Sequence, residues 1–129
     1  MVSTWLNSLV SGAVPGGYFG GGFRGAQVDT VDKFDFSDDS RSTLGTGLSA
    51  ATNGNAGMAN SGTAGYFGGG YDGSYASTVD KFAFSDDSRT TLGTGLSAAR
   101  YYLAAMANSG TAGYFGGGYT GSYADTVDK

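Results

Sequence analysis

Three kinds of side chain in this sequence could do chemistry: paired aspartates, glycine-rich hexapeptides and paired tyrosines. Asp38-Asp39 and Asp86-Asp87 offer carboxylate oxygens of the kind that Ca²⁺ collects six to eight at a time. Their surroundings match neither an EF-hand loop nor the GGxGxD spacing of calcium-binding β-rolls, and a solvated hairpin turn accounts for them more simply. GYFGGG begins at Gly17, Gly65 and Gly113 and could cradle a phosphate. No Lys-Ser/Thr pair follows it and no helical pattern succeeds it, so close backbone approach or positive φ is the better reason for its glycines. Tyr71, Tyr75, Tyr119 and Tyr123 fall in the phrase GGGYxGSYA, with Asp72 or Thr120 between them. Rings beside hydroxyls and a carboxylate can stack on sugars or anchor a protein partner, and this is the best candidate surface in the chain. The plainer role for the same tyrosines is to cap a sheet edge and pack between neighbouring sheets.

Composition narrows the chemistry further. The 129 residues contain no Cys and no His, which removes disulfides, thiolate nucleophiles, imidazole bases and the common zinc and copper ligand sets. Serine and aspartate without histidine make no conventional triad, so an enzyme is not expected and no cofactor or metal is called for. The net charge of −4 comes with Lys and Arg scattered singly, which argues against nucleic acid as a partner. The N-terminal MVSTWLNSLVSGAVPGG lacks a basic start and a long apolar run, nothing downstream is long enough to span a membrane, and no compartment is indicated.

The elements that must position the tyrosines follow from a repeat. The three GYFGGG copies are 48 residues apart, and residues 60–81 and 108–129 differ only at Asp72/Thr120 and Ser77/Asp125. Such periods belong to arrays whose units bury their apolar faces on one another. Recent duplication and deliberate design both produce identity of this degree. The chain reads as one repeat domain over 1–129, with an N-terminal segment and partial first strand at 1–16 and units at 17–64, 65–112 and 113–129, the last partial.

Within a unit, period-2 patterns bounded by turn residues predict four strands near Tyr102–Ala107, Thr111–Gly116, Thr78–Phe84 and Arg89–Leu92. The first two are expected to be deeply buried. In the third, alternation places Phe82 and Phe84 together as core anchors, with Val79, Lys81 and Ala83 on the side facing water. Ser85-Asp86-Asp87-Ser88 closes a hairpin between the third and fourth, and GTGLSAAR crosses to the next unit.

Arg100 before the first strand, Gly116-Gly117 closing the second and Phe82 in the third resemble the blade markers of kelch-type β-propellers, with TVDKFAFSDDSRTTLG similar to their third hairpin. The resemblance covers nearly the whole chain through short motifs. It departs from the family in having no tryptophan near Arg89, in placing Thr52 where the other copy has Arg100, and in a lone Trp5 outside the register, read as a terminal apolar anchor. The resemblance implies an all-β, kelch-like propeller fragment of about three four-stranded antiparallel blades, marked by Gly68, Gly69, Gly70, Phe82, Phe84 and Arg100. Copper chemistry of the galactose-oxidase kind would need histidines that are absent, and the Asp-box of sialidases is not matched.

Closed propellers have about four to eight blades, so completion by a homo-oligomer is expected, a dimer of about six blades first, with Thr4–Val10 of one chain pairing with the open blade of the other. The expected function is a non-enzymatic module for protein–protein interaction or self-assembly. The alternatives are a lectin-like module binding glycans through the tyrosine loops and a Gly/Tyr-rich extracellular fibre.

Overall fold

The computed structural model of the chain describes residues 16–108 and 110–129. The segment holding Trp5 and Thr4–Val10, with the pairing expected of it, lies outside the described residues, as does Ser109. Ten strands are formed among the described residues: β1 (Gly16–Gly20), β2 (Val31–Asp35), β3 (Arg41–Thr43), β4 (Ala56–Asn60), β5 (Ala64–Gly68), β6 (Val79–Ala83), β7 (Arg89–Thr91), β8 (Ala104–Asn108), β9 (Ala112–Gly116) and β10 (Val127–Asp128).

They build three antiparallel sheets in the orders β1-β2-β3, β4-β5-β6-β7 and β8-β9-β10, each a meander of neighbours in sequence. The chain is therefore all-β. The expectation of four strands in every sheet holds for the middle one alone. Among the described residues the first sheet contains the second to fourth strand positions of the unit, and the last contains the first to third.

Local chemistry closes each hairpin where the sequence places turn residues. Thr63 N donates to Asn60 O at 3.0 Å across the β4–β5 turn, where Gly62 takes φ 71°. Between β6 and β7 the Asp86 carboxylate accepts the Ser88 amide at 3.0 Å, and Asp87 adopts φ 59°, which a short polar side chain tolerates. Asp38, Asp39 and Ser40 repeat this turn, with 2.9 Å from the Ser40 amide to Asp38 and φ 58° at Asp39. The side chains of Ser40 and Ser88, and after them these amide bonds, hold the Asp38 and Asp86 carboxyls below the usual carboxylate range.

GYFGGG divides between two tasks. Its first four residues lie in β1, β5 or β9, and the last two leave the strand. In the middle sheet Gly69 and Gly70 take φ 68° and 113°, a path that side chains rarely follow, so that their amides reach Thr78 O at 3.0 Å and Arg100 O at 2.9 Å.

The sheets pack face to face through one repeated contact. The Phe67 ring lies 3.1 Å from where a Cβ on Gly20 would sit, and Phe115 lies 2.7 Å from the same position on Gly68. A bare backbone in one sheet is thus the socket for a phenylalanine of the next. Two apolar clusters result, Val31, Leu48, Phe67 and Phe82 at one seam and Val79, Leu96, Leu103 and Phe115 at the other. Full burial of one such side chain contributes roughly 1.5–3 kcal/mol.

Three expectations are corrected by the structure. Val79, assigned to the water side of its strand, is buried because the middle sheet has a neighbour on each face. Phe82 is fully buried as an anchor, but Phe84 lies beyond the end of β6, half-buried, with its ring stacked at 5.1 Å on Tyr18. The first strand of the last unit begins at Ala104 rather than Tyr102 and is largely exposed, because among the described residues no further sheet covers it.

Polar latches tie the same seams. Asp80 accepts the Ser49 amide at 2.7 Å and the Thr91 hydroxyl at 2.6 Å. Asp87 receives Lys33 Nζ at 2.9 Å and the Tyr18 hydroxyl, so the turn of the second sheet grips the first. Arg100 is completely buried and donates to Asp128 Oδ2 at 2.6 Å and to Thr126 O at 3.2 Å, pinning β10 to the crossover that precedes β8.

Candidate functional site

The tyrosine loops are five-residue hairpins held by their own backbone. Asp72 N donates to Ser74 O at 3.1 Å and Ala76 N to Gly70 O at 2.9 Å, which sets Tyr71 across from Tyr75. The second loop repeats the arrangement, with Thr120 N on Ser122 O at 3.0 Å, Ala124 N on Gly118 O at 2.9 Å, and Tyr119 across from Tyr123.

The crossover between the second and third sheets runs between these loops. Arg100 N donates to Ala76 O at 3.0 Å on one side, while Tyr101 and Tyr119 exchange backbone bonds of 3.2 and 2.9 Å on the other. Tyr101 and Tyr102 consequently join the loop tyrosines. Tyr75 stacks on Tyr101 with centroids 5.3 Å apart and planes 11° from parallel, and Tyr119 meets both edge-on at 6.0 and 5.9 Å. Tyr71 leans on Tyr75 and Tyr101 at 6.0 Å each, Tyr102 lies 4.1 Å from Tyr101, and Tyr123 extends the row from Tyr119 at 5.6 Å.

Tyr71, Tyr75 and Tyr119 are half-buried in this cluster, whereas Tyr102 and Tyr123 are 67% and 92% exposed. Asp72 and Thr120 sit at the exposed loop tips. The Asp72 carboxylate is occupied within its own loop, accepting the Ser74 amide at 3.1 Å and hydroxyl at 3.0 Å. Withdrawal from water and the surrounding tyrosines push the Tyr101 hydroxyl above its ordinary pKa. The cluster is an aromatic face with hydroxyls as its hydrogen-bonding groups.

Tyr102 opens the expected buried strand Tyr102–Ala107, and Tyr101 stands just ahead of it with no role assigned. The structure moves them to the surface by giving Tyr102 φ 55°. Its counterpart in the preceding unit is Gly54, at φ 66°, and a Cβ there would lie 3.0 Å from the Tyr102 ring. Tyr102 N also donates to Gly54 O at 2.7 Å. The change from RYYLAA to TNGNAG thus leaves space for the next unit's tyrosines. At the first seam the corresponding loop and crossover carry Phe23, Gln27, Asn53 and Gly54, so among the described residues the aromatic patch forms once, at the second seam, instead of repeating with every loop.

No family model matches the chain, and no curated protein matches its sequence. The six tyrosines and the stacking of the sheets therefore carry the functional argument by themselves. The aspartate pairs take structural places: Asp38 and Asp86 cap hairpin turns, and Asp87 is the latch to Lys33 and Tyr18. Among the described residues no three acidic side chains converge into a cation site. Of the expected blade markers, Arg100 lies ahead of β8, Gly68 ends β5 with Gly69 and Gly70 following it, and Phe82 fills the first seam.

Proposed function

We propose that the chain is a non-enzymatic module of kelch-like β-propeller blades that binds a protein partner through its tyrosine seam and assembles with further copies of itself. The kelch reading is supported by the meander in each sheet and by the places of Arg100, Gly116-Gly117 and Phe82. The single observation that carries the binding reading is the convergence of Tyr71, Tyr75, Tyr101, Tyr102, Tyr119 and Tyr123 from two loops and a crossover onto one face. Tyrosines present large rigid area at small entropic cost, and their ring faces attract Arg and Lys. With a net charge of −4 on the chain, the partner best suited is a peptide segment carrying cationic and apolar side chains.

A glycan is the alternative, favoured by the exposed rings of Tyr102 and Tyr123, which can stack on a sugar. Against it stands Asp72, whose carboxylate is already engaged by Ser74. A display library of basic peptides and a glycan array, each probed with the wild-type chain and with Tyr101→Ala, separate the two. Selection of Arg-containing peptides, lost in the variant, supports the protein-partner reading. Saturable sugar binding lost in the same variant replaces it with the lectin reading, and no binding in either format rejects the seam as a ligand face.

A further inference from the structure

Among the described residues, the contact that joins the sheets inside the chain leaves one half unused at each end of the stack. At the first seam Phe67 and Phe82, in an edge-on pair 5.9 Å apart at 83°, dock over Gly20 and Val31. The first sheet carries the same pair, Phe19 and Phe34, 5.6 Å apart and also at 83°. Phe19 is nevertheless 66% exposed.

The last sheet presents the matching socket. Gly116 occupies the position of Gly20 and Gly68, and a Cβ on it would meet Val127 alone, at 3.5 Å. Val127 stands where Val31 and Val79 stand, yet it is 64% exposed while they are 0% and 5%. The polar latch is unused in the same sense. Tyr18 and Lys33 hold Asp87 of the neighbouring turn, and the last sheet carries Tyr114 and Lys129 at the equivalent places. Asp39, at φ 58°, repeats the conformation of Asp87 at φ 59°.

We infer that the occupant of this face is a second copy of the chain, bound head to tail: Phe19 and Phe34 of the second copy seat on Gly116, Val127 and Tyr114, and its Asp39 pairs with Lys129. The interface continues the two seams within the chain, with the same aromatic pair, the same bare-backbone socket and the same opposite charges. A head-to-tail contact is heterologous, giving a ring where the rotation closes and a filament where it does not. This inference rests on the reading of the chain as a self-assembling module and assigns the surface through which it assembles.

Two substitutions test it without touching either internal seam. Phe19→Asp removes the exposed aromatic, and Gly116→Leu fills the socket, where the neighbouring Val127 leaves room for a side chain. Analytical ultracentrifugation at micromolar concentration should show the wild-type chain self-associated and each variant alone at least about tenfold weaker. Circular dichroism melts verify that both variants are folded. An equimolar mixture should then yield a one-to-one heterodimer, because the intact Phe19 of one variant meets the intact Gly116 of the other and the second contact is dead. The chain has no cysteine, so Phe19→Cys and Gly116→Cys chains should also form an intermolecular disulfide when mixed and oxidised. A monomeric wild type overturns both this interface and the assembly reading. Self-association undiminished in both variants, or a mixture that fails to pair, overturns the interface and leaves assembly standing.

Discussion

Gly68 and Gly116 occupy the same place in two nearly identical stretches of sequence, and replacing each with alanine should have opposite effects. A Cβ at Gly68 would stand 2.7, 2.8 and 3.1 Å from three atoms of the Phe115 ring, the first two closer than a side-chain carbon can approach. Phe115 is buried among Val79, Leu96 and Leu103, so its ring has no free direction in which to withdraw. Overpacking of this kind costs about 1–3 kcal/mol. Alanine's advantage over glycine in a strand offsets about 0.5–1 kcal/mol of it. At Gly116 the same methyl group makes an ordinary 3.5 Å contact with Val127, and the favourable backbone effect stands alone. Gly68→Ala should therefore lower stability by about 1–2 kcal/mol, while Gly116→Ala leaves it unchanged or raises it by about 0.5 kcal/mol. Gly20→Ala, with Phe67 at 3.1 Å and Leu48 at 3.3 Å, should fall between them. Urea unfolding followed by far-ultraviolet circular dichroism, at a concentration where the chain is monomeric, measures all three as shifts in midpoint at constant slope. Equal midpoints for the Gly68 and Gly116 variants would refute the stacking of the second and third sheets through Phe115.

Phe82→Ala should cost about 3–5 kcal/mol in the same unfolding assay, and Phe34→Ala, at the equivalent but only half-buried place, clearly less. Asp128→Ala removes the partner of a fully buried guanidinium, and a loss of about 3 kcal/mol is expected, recovered in large part by the double variant with Arg100→Met. Hydrogen bonds from Ser97, followed by the charge of Arg100, hold the Asp128 carboxyl below its ordinary range, as Ser40 and Ser88 do for Asp38 and Asp86. A folded pKa below the unfolded one means stability that is present above the ordinary aspartate value near 3.8 and lost as pH falls through the depressed values, which acid titration of the unfolding midpoint will reveal. Burial and the bond to Asp87 raise the Tyr18 pKa, and Tyr101 is raised as well, so stability should also decline as pH climbs past the ordinary tyrosine value of 10, with Tyr18→Phe removing part of that decline.

The strands were legible because their pattern is local. Val79–Ala83 lies within the expected Thr78–Phe84, and Ala112–Gly116 within Thr111–Gly116. The turns were legible for the same reason, since Asp86 and Ser88 carry their own hydrogen bond wherever the chain places them. Burial was less so, because it depends on neighbours: Val31, Val79 and Val127 share a sequence context, yet the first two are covered by the following sheet and the third is not. The tyrosine patch was half legible. Tyr71, Tyr75, Tyr119 and Tyr123 announce themselves by loop chemistry, but Tyr102 reads as the start of a strand and Tyr101 gives no signal until the left-handed turn at Tyr102 and the space above Gly54 are seen together. The pairing of Asp87 with Lys33 spans 54 positions and has no local signature at all.

Nuclear Overhauser contacts made by aromatic ring protons test the stacking of the sheets and the tyrosine seam in one experiment. The structure places Phe115 ring protons against the α-protons of Gly68 and the Tyr75 ring against that of Tyr101, and cross-peaks for both pairs are the predicted result. Strand-like chemical shifts with neither cross-peak would contradict it, since the sheets would then exist without packing through Phe115 and without the seam between their tyrosine loops.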